Sequence, residues 1–145
     1  MTDAPLFTLR KVGADSTWSL HQAENKPVML TFWTTWCPDS LRDLEAKQRL
    51  YATIDREKLE MIMIHVSGRD PDANVEQFLK KHDYTFPVLC DEGTKVYDLY
   101  RCTSVPTTVL LNDDHKIFAK YDDRATMFDV MKGIANLFKE SPHRK

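Results

Sequence analysis

Residues 27 to 40 read Pro-Val-Met-Leu-Thr-Phe-Trp-Thr-Thr-Trp-Cys-Pro-Asp-Ser, and the hydrophobic pattern changes in the middle of them. Val28 to Trp33 is apolar on both faces and is bounded by Pro27, which suits a central buried strand. From Pro38 the pattern turns helical. Proline fits a first helical turn, Asp39 favours the positive end of the helix dipole, and Leu41, Leu44, Gln48 and Tyr51 mark one face. Cys37 stands at the junction. Free backbone N–H groups and the dipole both stabilise negative charge there. Thiols so placed commonly have pKa values lowered to roughly 3.5–7.5, and the thiolate is the attacking species in disulfide exchange. The competing reading, a small buried apolar residue, loses weight because proline and the strand-to-helix switch coincide.

Outward from this junction, Leu6 to Leu9 alternates as a short strand, and Trp18 to Leu20 forms a second extended piece. Leu59 to Val66 is another buried strand. Asp70-Pro71-Asp72 has the chemistry of a cap and first turn for a helix carrying Val75, Phe78, Leu79 and His82. Phe86 to Leu89 is a short extended run, and Thr94 to Tyr100 a short helix with Val96, Leu99 and Tyr100 inward. Thr107 to Leu111 and Lys116 to Ala119 flank the turn Asn112–His115 as a hairpin. A last amphipathic helix carries Phe128, Met131, Ile134, Ala135 and Phe138, with Asp122-Asp123 as its cap. The order predicts an α/β fold over residues 1–145: a mixed central sheet with a parallel β-α-β core, a C-terminal hairpin, helices on both faces, and residues 141–145 frayed.

The composition narrows the function. The chain has 145 residues, 42% hydrophobic and 29% charged, which is one domain with a real core. Twenty Lys+Arg against 22 Asp+Glu give −2, so no basic excess points to nucleic acid. The longest apolar run, Val28 to Trp36, is broken by three threonines and is too short for a membrane span. No export signal is visible at the start, so a cytoplasmic protein is expected, or an exported one if the sequence has been trimmed; a monomer is expected as well. Only 4 glycines and no Gly-rich loop argue against a nucleotide cofactor. Three scattered cysteines and five histidines at no finger spacing give neither a disulfide framework nor a metal cage.

Taken together, these segments resemble the thioredoxin superfamily, and within it the TlpA/ResA-like thiol–disulfide oxidoreductases. Ala4 to Leu9 looks like the family's N-terminal strand, and Pro27 to Pro38 resembles its active-site core. Phe86 to Gly93 resembles the segment leading to the third helix, and Val105 to Asp113 its cis-proline strand and turn. The resemblance implies a thioredoxin fold with Cys37 as an exposed nucleophile. It also implies that Pro106 is cis, so that the Val105 backbone pairs with a bound peptide; Trp36, Pro38 and Asp39 complete the substrate side. Protein or low-molecular-weight thiols and disulfides would be the partners, with no cofactor.

The departures are as informative. The family's Cys-x-x-Cys is here Cys37-Pro38-Asp39-Ser40, so no second thiol stands in the motif to release a mixed disulfide. A native monothiol enzyme resolved by an outside thiol, an introduced cysteine-to-serine trap, and a protein that kept binding but lost turnover all fit. In each, Ser40 Oγ is placed to hydrogen-bond the Cys37 thiolate. Thr31 stands where thioredoxin has an acid, so that base is missing, and the helix proline of many relatives has no counterpart near Glu45-Ala46. Cys102, four residues before Pro106, and Cys90 are read as bystanders rather than resolving thiols. Thr34-x-x-Cys37 echoes peroxiredoxins, but the proline expected four residues before that threonine is Leu30. His65 reads as a hydrogen-bonded core histidine, Trp33 as core and Trp36 as an apolar rim. A binding module without redox turnover is the alternative from a different functional class.

Overall fold

A computed structural model describes residues 2–140, so the fraying expected of 141–145 lies outside the described residues. The strands are β1 (Thr8–Lys11), β2 (Thr17–Ser19), β3 (Val28–Trp33), β4 (Glu60–His65), β5 (Val88–Cys90), β6 (Thr107–Leu111) and β7 (Ile117–Tyr121). The helices are α1 (Pro38–Thr53), α2 (Val75–Lys81), α3 (Lys95–Leu99) and α4 (Met127–Lys139). One seven-stranded sheet runs β2-β1-β5-β4-β3-β6-β7. Strands β3, β4 and β5 are parallel, while β6 joins β3 and β7 joins β6 antiparallel. This is the mixed α/β sheet expected, with β4 at its centre and β3 beside it, an interior strand between β4 and β6.

The alternation of side chains along β3 places a core on each face. Val28, Leu30 and Phe32 pack with Tyr97 and Tyr100 around α3. Met29 packs with Val130, Ile134 and Leu137 of α4, and Trp33 with Leu44 of α1. All six β3 residues are buried, which is why the strand reads as a continuous apolar run.

Several local expectations shift. The first strand begins at Thr8, and Leu6 is 77% exposed. The inward face of α1 is Ser40, Leu44 and Lys47, and the helix runs unbroken from Pro38 to Thr53. Asp70 does not cap α2; Asn74 does, accepting from the Gln77 N–H. In α3, Leu99 is largely exposed while Tyr97 is buried. In α4 the inward residues are Val130, Gly133, Ile134 and Leu137; Phe128 and Met131 face solvent because the helix is rotated to bring Gly133 under Tyr121. Its cap is Thr126, in a reciprocal pair with Asp129, rather than Asp122-Asp123. No described helix is long and apolar enough to cross a membrane.

Candidate active site

Strand β3 ends at Trp33, and the loop Thr34–Trp36 delivers Cys37 to the N-cap of α1. Cys37 has extended φ/ψ of −84°/118°, Pro38 occupies the first turn, and the Cys37 carbonyl accepts the Leu41 N–H at 3.0 Å. The sulfur therefore sits at the end of a 16-residue helix, where the dipole favours anionic groups. Opposite it, the Val105–Pro106 peptide bond is cis, and Cys37 Sγ donates to the Val105 carbonyl at 3.7 Å. The nucleophile candidate and the cis-proline loop, 68 residues apart in sequence, thus meet.

Two expectations about this centre need correction. Cys37 is not an exposed residue: only 8% of its surface is accessible, because the Val105–Pro106 loop lies across it and it packs with Val105 and other buried residues. Ser40 does not bond the Cys37 sulfur either. It is fully buried, and its Oγ finds no hydrogen-bond partner among the described residues. It lies on the inward face of α1, three residues past Cys37.

The remaining residues of the motif are open to solvent. Trp36 is 54% exposed and its indole N–H donates to the Arg69 carbonyl at 2.9 Å. Pro38 is exposed, and Asp39 pairs with Arg42 across one helical turn. Beside Pro106, a cavity of about 280 Å³ is lined by Asp39, Arg42, Asp43, Asp123 and Met127. Thr34, the peroxiredoxin-like position, is fully buried, and Trp33 is core.

Two polar groups beneath the site escaped sequence reasoning. Asp70 Oδ2 accepts from the Thr35 N–H and the Thr35 hydroxyl, both at 2.7 Å, and from His65 Nε2 at 2.9 Å. Burial alone pushes the Asp70 carboxyl up, but these donors together hold it below the usual carboxylate range. His65 is thus the hydrogen-bonded core histidine expected. Lys47 is the second. Its ammonium is fully buried and donates to Thr31 Oγ1 and Thr108 Oγ1 at 2.9 Å and to Asp43 Oδ2 at 2.7 Å. In sequence, Asp43 and Lys47 look like an ordinary surface i,i+4 pair; only the register of Thr31 against Thr108 shows that a polar slot awaits the lysine.

The other thiols stand apart from this chemistry. Cys102 is buried, and burial pushes its thiol up to about 12. Cys90 is half-buried, with Sγ 3.6 Å from the Asp91 carbonyl. All three cysteines are free, and among the described residues no group of His, Cys, Asp or Glu is arranged to hold a metal.

A comparison with known families decides the relationship: the AhpC/TSA family model matches residues 1–120. The chain belongs to the AhpC/TSA family. Among its relatives, thiol-disulfide oxidoreductase ResA of Oceanobacillus iheyensis is 34% identical over 136 residues, covering 92% of this chain and 69% of that protein. The ResA protein of Halalkalibacterium halodurans is 32% identical over 111 residues, covering 77% of this chain and 61% of that one. The chain therefore spans about two thirds of the length of these relatives, and it belongs with the ResA-like thiol–disulfide oxidoreductases. The fold matches StoA from Bacillus subtilis with a TM-score of 0.77 at 21% identity, over 92% of this chain and 98% of that one. It also matches a thiol-disulfide isomerase from Corynebacterium glutamicum with a TM-score of 0.81 at 20% identity, over 94% and 97%. These likenesses establish a thioredoxin-like fold.

Proposed function

We propose that the protein exchanges disulfides through Cys37 alone. The Cys37 thiolate attacks one sulfur of a substrate disulfide; the bond between the two substrate sulfurs breaks, a Cys37–substrate disulfide forms, and the other substrate sulfur leaves as thiolate. A second, external thiolate then attacks the mixed disulfide at the substrate sulfur and returns Cys37 as thiolate. The observation that supports this most is the meeting of the helix-capping sulfur with the Val105 carbonyl at 3.7 Å. That carbonyl belongs to the loop against which an extended substrate backbone would pair, with Trp36, Pro38 and Asp39 on the opposite lip. Ser40, in the place of a resolving cysteine, leaves resolution to a protein thiol or a low-molecular-weight one.

The 8% exposure of Cys37 favours a second reading, a binding module whose groove is retained while the sulfur stays out of reach. Reduction of insulin disulfides with an added monothiol donor separates the two. On the first reading the protein accelerates reduction, Cys37→Ser abolishes the acceleration, and Ser40→Cys increases it by providing an internal resolving thiol. No acceleration from either the present sequence or Ser40→Cys would support the binding module.

A further inference from the structure

The segment that follows β4 makes contacts that the exchange chemistry above does not use. Ser67 to Arg69 forms a single 3-10 turn, and Asp70 closes it by donating its N–H to the Ser67 carbonyl at 3.1 Å. On one side the turn holds the nucleophile loop. Asp70 Oδ2 receives both Thr35 donors, and the Arg69 carbonyl receives the Trp36 indole. Thr35 and Trp36 are the two residues immediately before Cys37. On the other side the turn is bolted to the segment that carries α3. Ser67 Oγ donates to the Asp91 carbonyl at 2.6 Å, the Gly68 N–H donates to the Gly93 carbonyl at 2.9 Å, and the Arg69 guanidinium donates to the Tyr97 hydroxyl at 2.6 Å. A Cβ on Gly68 would lie 2.8 Å from the Gly93 carbonyl carbon, so the two backbones touch at the limit of approach. The chain then runs from α3 directly into Val105–Pro106, the far wall of the cleft.

From this arrangement we infer that Ser67–Asp70 braces the active-site cleft, with Asp70 as a positioning residue that sets Cys37 against the Val105 carbonyl through Thr35. Three donors converge on a single carboxylate oxygen, an arrangement that a neutral side chain supports less well. A carboxylate can only accept, so His65 Nε2 carries a hydrogen and donates. His65 is 2% exposed, and its ring lies against Trp33 at 5.1 Å. The histidine thus fixes Asp70 from within the core, and Asp70 fixes the loop. Loss of the brace loosens the distance between sulfur and carbonyl without removing either.

This inference rests on the disulfide-exchange reading. Its test compares two reactions of Cys37, each followed by mass spectrometry of the Cys37 peptide: mixed-disulfide formation with an oxidised peptide, which pairs along Val105, and alkylation by iodoacetamide, which does not. The variants are Asp70→Asn, Thr35→Ala and Thr35→Ser, each checked for a retained cooperative thermal transition. We expect Asp70→Asn to slow disulfide exchange about tenfold or more, which is about 1.4 kcal/mol in the barrier, and Thr35→Ala about threefold or more. Alkylation should change less than about threefold, and Thr35→Ser should restore exchange. Thr35 is half-buried rather than core, so its two variants carry the test if Asp70→Asn fails to fold. Exchange rates within twofold of the parent, a parallel fall in both reactions, or failure of Thr35→Ser to rescue would each overturn the brace. An unvaried protein that forms no mixed disulfide would instead overturn the exchange reading itself.

Discussion

The Asp43–Lys47 pair offers the sharpest energetic test, because its two members are buried to different degrees. Lys47 is 0% exposed in its side chain and Asp43 is 16% exposed. All three ammonium hydrogens have acceptors, and they tie α1 to Thr31 of β3 and Thr108 of β6. Asp43→Ala leaves a buried cation with two neutral hydroxyls, an uncompensated charge that costs about 3–5 kcal/mol. Lys47→Met leaves a carboxylate that keeps partial contact with water, while the methionine fills much of the lysine stem's volume. That change should cost less, about 1–3 kcal/mol. The double variant removes both charges and should sit close to Lys47→Met alone, giving a strongly non-additive cycle. For a chain of this size, Asp43→Ala should lower Tm by roughly 10 °C. Urea unfolding followed by far-UV circular dichroism gives the three free energies. Equal costs for the two single variants, or additive costs in the double, would refute the reasoning.

Further outcomes follow from other contacts. In the native protein near neutral pH, Cys102 should resist alkylation while Cys37 and the half-buried Cys90 react, since the Cys102 thiol stands at about 12; peptide mapping after timed iodoacetamide treatment reads this. Asp70 has a carboxyl depressed in the folded state, so its contribution to stability is complete above the unfolded carboxylate range near pH 4 and is lost as pH falls through the lower folded value. Asp70→Asn should therefore flatten the acid limb of stability, seen as a smaller gap between urea midpoints at pH 6 and pH 3. Gly68→Ala drives a methyl to 2.8 Å from both the Gly93 backbone and Thr94 Cγ2 and should cost about 1–3 kcal/mol. A thermal melt unchanged from the parent would contradict that close approach.

What could be read in the sequence was what the local pattern itself encodes. Val28–Trp33 announces a strand covered on both faces, and Cys37-Pro38 announces its handover to a helix, because hydrophobic period and proline chemistry are local properties. The cleft was legible through resemblance, since residues 37 and 105 meet only because β3 and β6 pair antiparallel, end of one beside start of the other. Illegible were the contacts whose cause lies elsewhere in the fold. Asp70 has the chemistry of a helix cap, yet it turns to Thr35 because the 3-10 turn carries it back over the nucleophile loop. Lys47 has the spacing of a surface pair, yet it enters the core because Thr31 and Thr108 face each other across the sheet. Phe128 has the spacing of a buried residue, yet it is 70% exposed because α4 is turned to seat Gly133 against Tyr121. Ser40 stands out in the sequence as the departure in the motif, but its burial does not, because how a side chain at a helix start is covered depends on how the helix meets the sheet.

The central claim is that the sulfur of Cys37, though mostly covered, attacks disulfides and is released by an outside thiol. Mass spectrometry of the folded protein after incubation with an oxidised peptide measures this directly. The account predicts one long-lived adduct, mapped to Cys37 and removed on addition of a small thiol. An unmodified Cys37 beside a labelled Cys90 would contradict it.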